Sequence, residues 1–251
     1  MLRKLLLILA VFPCTAAAIE ISTGKLLGLG YEERSFYVRD KGGVWTRTYA
    51  GSRFRPEAAG RLMNLRIAQG IFEDEWLSEF PFDPEENSRR LIQALDIYKD
   101  HGVLAINVSL QGGNPGYGRE VAAIRRQIQA RQGPGKGALI SAFRPDGSLK
   151  ESWMNRLLRL IRELDRRQMI LDLMLFYQGQ DEVLESPAAI ERGVRNAVDW
   201  LIANDCRNVI VEIANEHDVA GFDQDRYIHS QIGHLIQMAR SRFRQNRAPF
   251  Q

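Results

Sequence analysis

NVIVEIANEHD, residues 208–218, is an apolar run that ends abruptly in an amide, a carboxylate, an imidazole and a second carboxylate. Residues 208–214 read as a strand buried on both faces, because a half-exposed strand would alternate apolar and polar side chains. Asn215, Glu216, His217 and Asp218 then stand where that strand leaves its sheet.

The same unit recurs upstream. RLMNLRIAQGIF (61–72), VLAINVSL (103–110) and ILDLMLF (170–176) are three further candidate strands. Between them lie segments with helix grammar. FDPEENSRRLIQALDIYKDHG (82–102) offers Asp83 as N-cap, Pro84 at the first position, Glu86 at the third and Gly102 just past the end. SWMNRLLRLIRELDRRQM (152–169) repeats Trp153, Leu157, Leu160, Ile161 and Leu164 at helical spacing, and the turn signal PDGS (145–148) precedes it. SPAAIERGVRNAVDWLIANDC (186–206) starts with a Ser186 cap and Pro187, and RYIHSQIGHLIQMARSRF (226–243) carries a last apolar stripe.

Strand and helix thus alternate four times, which predicts parallel strands covered by crossover helices. A doubly wound sheet would place a Gly-rich phosphate-binding turn after its first strand, and AQGIFEDE (68–75) is no such fingerprint. A (β/α)8 barrel instead places polar residues at the carboxyl ends of several strands. Each strand here ends that way: Glu73, Asp74 and Glu75; Gln111 and Asn114; Tyr177, Gln178, Gln180, Asp181 and Glu182; Asn215 to Asp218. The predicted fold is the N-terminal half of a (β/α)8 TIM barrel over residues 62–251, preceded by a small β-hairpin layer.

That preface, residues 19–61, contains the short alternating pieces SFYVRD and VWTRTYAG around Gly42 and Gly43. Residues 1–18 read as an export signal: Arg3 and Lys4, an apolar run from Leu5 to Phe12, and Ala16 to Ala18 as cleavage site. The run is too short for a permanent membrane span, which takes ~20 residues. A secreted or periplasmic protein without a stable membrane anchor is expected. Cleavage after Ala18 would leave Cys206 as the sole thiol, so stability must come from a core and not from a disulfide.

With 45% hydrophobic and 26% charged residues in 251, the chain falls among folded globular proteins, not disordered ones. The net charge of +3 is spread among interleaved acids, so nucleic acid is not an expected partner. Arg240, Arg242, Arg244 and Arg247 cluster near the end and read as a solvated helix face. Oligomeric state is not legible.

A carboxyl group at a barrel mouth can donate or accept a proton according to its surroundings, and a neighbouring amide can orient a sugar hydroxyl. Glycoside hydrolysis uses two such carboxyls. IVEIANE (210–216) resembles the strand-four signature of the clan of (β/α)8 retaining glycoside hydrolases that includes cellulases and β-mannanases. GRLMNLRIAQGIFEDE, INVSLQGGNPGYG, LMLFYQGQDE and NAVDWLIANDCRNVIVEIANE further resemble a group of secreted bacterial proteins described as glycosyl hydrolases. The likeness covers residues 55 to 247.

That resemblance implies Glu216 as general acid/base, Asn215 as partner of the sugar hydroxyl next to the anomeric carbon, and Arg66 as the arginine supporting the nucleophile. The nucleophilic Glu of the clan closes strand seven and has no counterpart here. The expectation is that four βα units are the first half of a longer barrel and are inactive alone. Gln111, Asn114, Tyr177 and His217 are further candidate substrate contacts, with Trp76 and Tyr117 as aromatic surfaces for a sugar ring.

Other readings of the same residues are a helix-capping or ion-paired role for Glu216, a non-catalytic carbohydrate-binding half-barrel, and a metal-dependent barrel enzyme. No metal and no cofactor are expected, because the second strand ends in SLQGG and not in an acid. Glu212, four residues before Glu216, is expected inside the barrel, paired with Arg66. His101, His229 and His234 are expected as surface or packing residues, and Cys206 is not expected to be a nucleophile.

Overall fold

The structure, a computed structural model, describes residues 26–40, 44–51, 53–73, 82–112, 140–218 and 227–245. The expected export signal, the turn glycines Gly42 and Gly43, and the candidate residues Asp74, Glu75, Trp76, Asn114, Tyr117 and Arg247 lie outside them.

Strands β1 (Leu26–Glu32), β2 (Ser35–Asp40) and β3 (Trp45–Arg47) form an antiparallel sheet in that order. Glu32 pairs with Ser35, so Glu33 and Arg34 alone make the first turn. Both have positive φ, 46° and 62°, as a turn matching the strand twist requires. β2 and β3 pair as a second hairpin, Val38 opposite Thr46.

Strands β4 (Asn64–Arg66), β5 (Ala105–Ser109), β6 (Ile170–Phe176) and β7 (Val209–Ala214) form a parallel sheet whose spatial order is their chain order. A doubly wound sheet reverses direction at a switch point. This one steps the same way three times, and right-handed crossovers then put every intervening helix on one face. The chain is therefore an α/β protein wound as a (β/α) barrel is wound, through four units.

Helices α1 (Pro84–Asp100), α2 (Glu151–Arg166), α3 (Pro187–Ala203) and α4 (Tyr227–Gln245) follow the strands. Asp83 accepts hydrogen bonds from the main-chain N–H of Glu85 and Glu86 at 2.9 and 3.1 Å, capping α1 as its sequence predicts. Gly102 takes φ +88° just beyond its end. Ser186 caps α3 through the N–H of Ala189. In α4, Gln231 leaves helical geometry, so the helix bends there. No helix among the described residues is long and apolar enough to cross a membrane.

Alternation along the strands separates two environments. Ile106, Val108, Leu171, Leu173, Leu175, Val209, Val211 and Ile213 face the helices and join the apolar stripes of α1 to α4 in one core. On the opposite face, Ala105 and Ile170 are buried against Leu29 of β1, with Phe36, Val38, Leu62 and Ile210 around them. The antiparallel sheet thus floors the amino end of the parallel one. Farther along this inner face the residues become polar: Asn107 on β5, Asp172 on β6 and Glu212 on β7.

One predicted boundary is corrected. The run 61–72 forms only a three-residue strand, because the chain turns at once: the N–H of Gly70 bonds to the carbonyl of Ile67 at 2.9 Å. Ile71 and Phe72, read as strand from their apolarity, enter the core from that turn.

Candidate functional site

The parallel ladder continues one residue beyond β7, where the N–H of Asn215 bonds to the carbonyl of Phe176 at 3.1 Å. The chain then turns through Asn215 to Asp218. Asn215 is buried and Glu216 exposed, at the carboxyl end of the strands. Glu216 has φ +44°, in the left-handed region that costs a residue with a Cβ about 1–2 kcal/mol. Such a conformation persists only where neighbours hold it.

Two side chains do so. Gln178, in the turn after β6, donates from Nε2 to the Glu216 carbonyl at 3.3 Å and to its Oε2 at 3.1 Å. Its Oε1 accepts from Asn215 Nδ2 at 3.2 Å. From the other side, His229 Nδ1 in the first turn of α4 lies 2.9 Å from the His217 carbonyl. A carbonyl can only accept, so this Nδ1 carries the proton.

The turn bearing Gln178 is itself fastened. Gln111 is fully buried; its Oε1 accepts from the N–H of Tyr177 at 3.1 Å, and its Nε2 donates to the Gln180 carbonyl at 2.9 Å and to Ser141 Oγ at 3.2 Å. The expected substrate contact through Gln111 is thereby corrected. Both of its donor directions and its carbonyl are committed inside the protein, where they clamp the two ends of the 177–180 turn.

Below the rim the inner face carries a charged layer. Asn64 Nδ2 donates to Asp172 Oδ2 at 2.7 Å, and Asn107 Nδ2 lies 3.5 Å from Glu212 Oε2. Burial raises the Asp172 carboxyl above its ordinary range, against hydrogen bonds from Asn107 and Asn64 and the charge of Arg66. Glu212 is pushed up to about 7, first by burial and then by the charge of Asp172, with Arg66 and Asn107 opposing and Glu216 adding.

Arg66 does not form the expected contact ion pair with Glu212. Among the described residues it acts on Asp172 and Glu212 through its charge at longer range, and its guanidinium carbon sits 5.7 Å from the centroid of the Tyr177 ring. It is exposed where β4 ends at the rim. Arg66, Tyr177, Asn215 and Glu216 therefore lie on the strand ends of one rim. His217 is half-buried, its ring centroid 6.5 Å from that of His229.

Other polar residues at strand ends have structural work. Glu73 pairs with Arg156 at 2.6 Å; this arginine is 2% exposed and also bonds Glu85 at 3.0 Å and the Ile71 carbonyl at 3.0 Å. Burial would raise the Glu73 carboxyl, but hydrogen bonds from Ser152 and Arg156 and the nearby cations bring it below its usual range. Asp181 is buried in a short 3-10 turn. Cys206 is buried and its thiol is driven up to about 12, chiefly by burial, which leaves no thiolate for nucleophilic chemistry. No group of three or more His, Cys, Asp or Glu among the described residues is placed to hold a metal ion.

Sequence reasoning did not single out Gln178, Asn107 or Asp172 for the site. The signal for the last two was present: a carboxamide or carboxylate at an inward position of a largely apolar strand, AINVS and ILDLMLF.

No family model matches this chain, and no curated protein does. Among solved structures it is similar to the crystal structure of a glycoside hydrolase family 5 protein from Bacteroides vulgatus ATCC 8482, at 14% sequence identity and a TM-score of 0.43. The match covers 85% of this chain and 37% of that one, so the chain spans little more than a third of that protein's length.

Proposed function

We propose that this chain supplies the acid/base half of a secreted glycoside hydrolase acting on O-glycosidic bonds of an oligo- or polysaccharide. The observation that carries the reading is Glu216 itself: an exposed carboxyl at the carboxyl end of parallel strands, beside Asn215, in a strained backbone conformation that Gln178 holds. A positive φ also occurs at plain turns such as Glu33 and Arg34; what sets Glu216 apart is that one side chain, Gln178, holds both its carbonyl and its carboxylate.

In such a site Glu216 donates its proton to the departing sugar oxygen and then, as a carboxylate, takes one from the incoming water. A retaining mechanism also needs an attacking carboxyl roughly 5 Å from this acid. Asn215 orients a hydroxyl of the bound sugar, and Tyr177 with Arg66 lines the approach, the ring offering a face to pyranose C–H groups. Asp172 and Glu212 lie deeper and hold the field beneath Glu216. No cofactor enters.

The test uses the full-length gene product and glycosides of two kinds. Glu216→Gln lowers kcat/KM for substrates with poor alkoxide leaving groups by about 100-fold or more, the worth of one positioned acid, and spares dinitrophenyl glycosides, whose leaving group needs no proton. Equal, near-native turnover of both kinds by the variant excludes Glu216 as the acid.

A further inference from the structure

We propose that Gln178 is the positioning residue of this rim: a single side-chain amide fixes Glu216 and Asn215 together and dictates which way the Asn215 amide faces. The inference rests on the acid/base reading of Glu216 given above.

The orientation follows from hydrogen-bond chemistry. A primary amide can usually be placed either way round, since its oxygen and nitrogen look alike. Gln178 has no such freedom, because the Glu216 carbonyl 3.3 Å away can only accept. Nε2 must face Glu216, where it also meets Oε2 at 3.1 Å. Oε1 must then face Asn215, and only the Nδ2 of Asn215 can donate to it, at 3.2 Å. Asn215 Oδ1 is consequently turned away from Gln178. Its Oδ1 can accept a hydrogen bond from a ligand hydroxyl, and the second Nδ2 proton can still donate one.

Backbone and carboxylate of Glu216 are fixed by the same group. The turn costs strain at φ +44°, so removal of the bond to the carbonyl lets it relax. The carboxylate loses its lateral support in the same step. Gln178 can act as a fixed reference because Gln111 holds the main chain on either side of it, at Tyr177 and Gln180. The line of positioning thus runs from a fully buried glutamine through the 177–180 turn to a partly exposed one, and from there to the acid. Displacement of a reacting group by ~1 Å can cost two orders of magnitude in rate.

The experiment replaces Gln178 by Met, which keeps length and removes all three hydrogen bonds. In the full-length protein, Gln178→Met lowers kcat/KM for poor-leaving-group glycosides by about 10-fold or more, lowers it for dinitrophenyl glycosides by a smaller factor that reflects Asn215 alone, and adds less than its full effect in a Glu216→Gln background. A loss that falls equally on both kinds of glycoside, or that adds fully to Glu216→Gln, overturns the inference.

A crystal structure of Gln178→Met gives the second readout, independent of activity. The Glu216 φ becomes negative and its carboxylate moves. An unmoved Asn215–Glu216 pair overturns the proposal. If Glu216→Gln itself leaves poor-leaving-group hydrolysis intact, the acid/base reading has failed, and the crystal structure alone then decides whether Gln178 fixes the pair. If Glu216→Gln abolishes hydrolysis while Gln178→Met does not, only the present inference fails.

Discussion

Asn107 Nδ2 on β5 approaches Glu212 Oε2 on β7 at 3.5 Å, across the intervening strand β6. The contact is long, and among the described residues Arg66 is the cation whose charge offsets the two acids Glu212 and Asp172.

The pH dependence follows with a definite sign. Burial and Asp172 push Glu212 up from 4.5 to about 7 in the folded chain. An acid whose folded value is raised contributes no penalty below pH 4.5, where it is protonated in both states, and weakens the fold as pH rises through 7. Glu212→Gln removes that dependence. Thermal unfolding of the two proteins from pH 4.5 to 8 is expected to diverge in favour of the variant by about 1 kcal/mol, reduced from the full linkage value by partial solvation. Parallel curves across that range would show that Glu212 titrates normally.

Arg156 carries the opposite kind of dependence. It is buried, with its charge met by Glu73 and Glu85. Arg156→Ala leaves Glu73 half-buried without its cation and is expected to cost about 3 kcal/mol. The depressed Glu73 carboxyl contributes stability above its unfolded value and loses it as pH falls through its folded one. In urea unfolding, the gap between wild type and Arg156→Ala therefore narrows on acidification. A gap constant from neutral pH to pH 3 would contradict this.

Gly147 closes the PDGS turn with φ +83°, and a Cβ there would stand 2.2 Å from the Ala189 carbonyl oxygen of α3. Backbone cannot yield as a flexible side chain would. Gly147→Ala is expected to lower stability by about 2 kcal/mol or more through both strain and overlap. Urea unfolding should show a lower midpoint at unchanged slope, and a variant as stable as wild type would refute the close approach.

Most of the architecture was legible because local and global signals agree. Asp83, Pro84 and Gly102 mark α1, and the stripe Trp153, Leu157, Leu160, Ile161 and Leu164 of α2 is buried residue for residue. β4 was overread because Ile71 and Phe72 are apolar for the sake of a core that the chain reaches after a turn. In the site, Asn215, Glu216 and Tyr177 could be found from their place after apolar runs. Gln111 occupies the same kind of place, yet which way a strand-end side chain points depends on loops that sequence does not order. Gln178 was indistinguishable from its polar neighbours for the same reason: its importance lies in what it reaches across the sheet, at Asn215 and Glu216.

Anion rescue addresses the role of Glu216 most directly. In full-length Glu216→Ala the missing carboxyl leaves room for a small anion next to the anomeric carbon. With a dinitrophenyl glycoside, sodium azide is expected to raise the variant's turnover by about 10-fold or more, replacing the lost base catalysis of the second step. The product is a glycosyl azide, and wild type is unaffected. Absence of any azide effect in a folded variant that still binds substrate, or turnover equal to wild type without azide, would contradict the assignment of Glu216 as the acid/base.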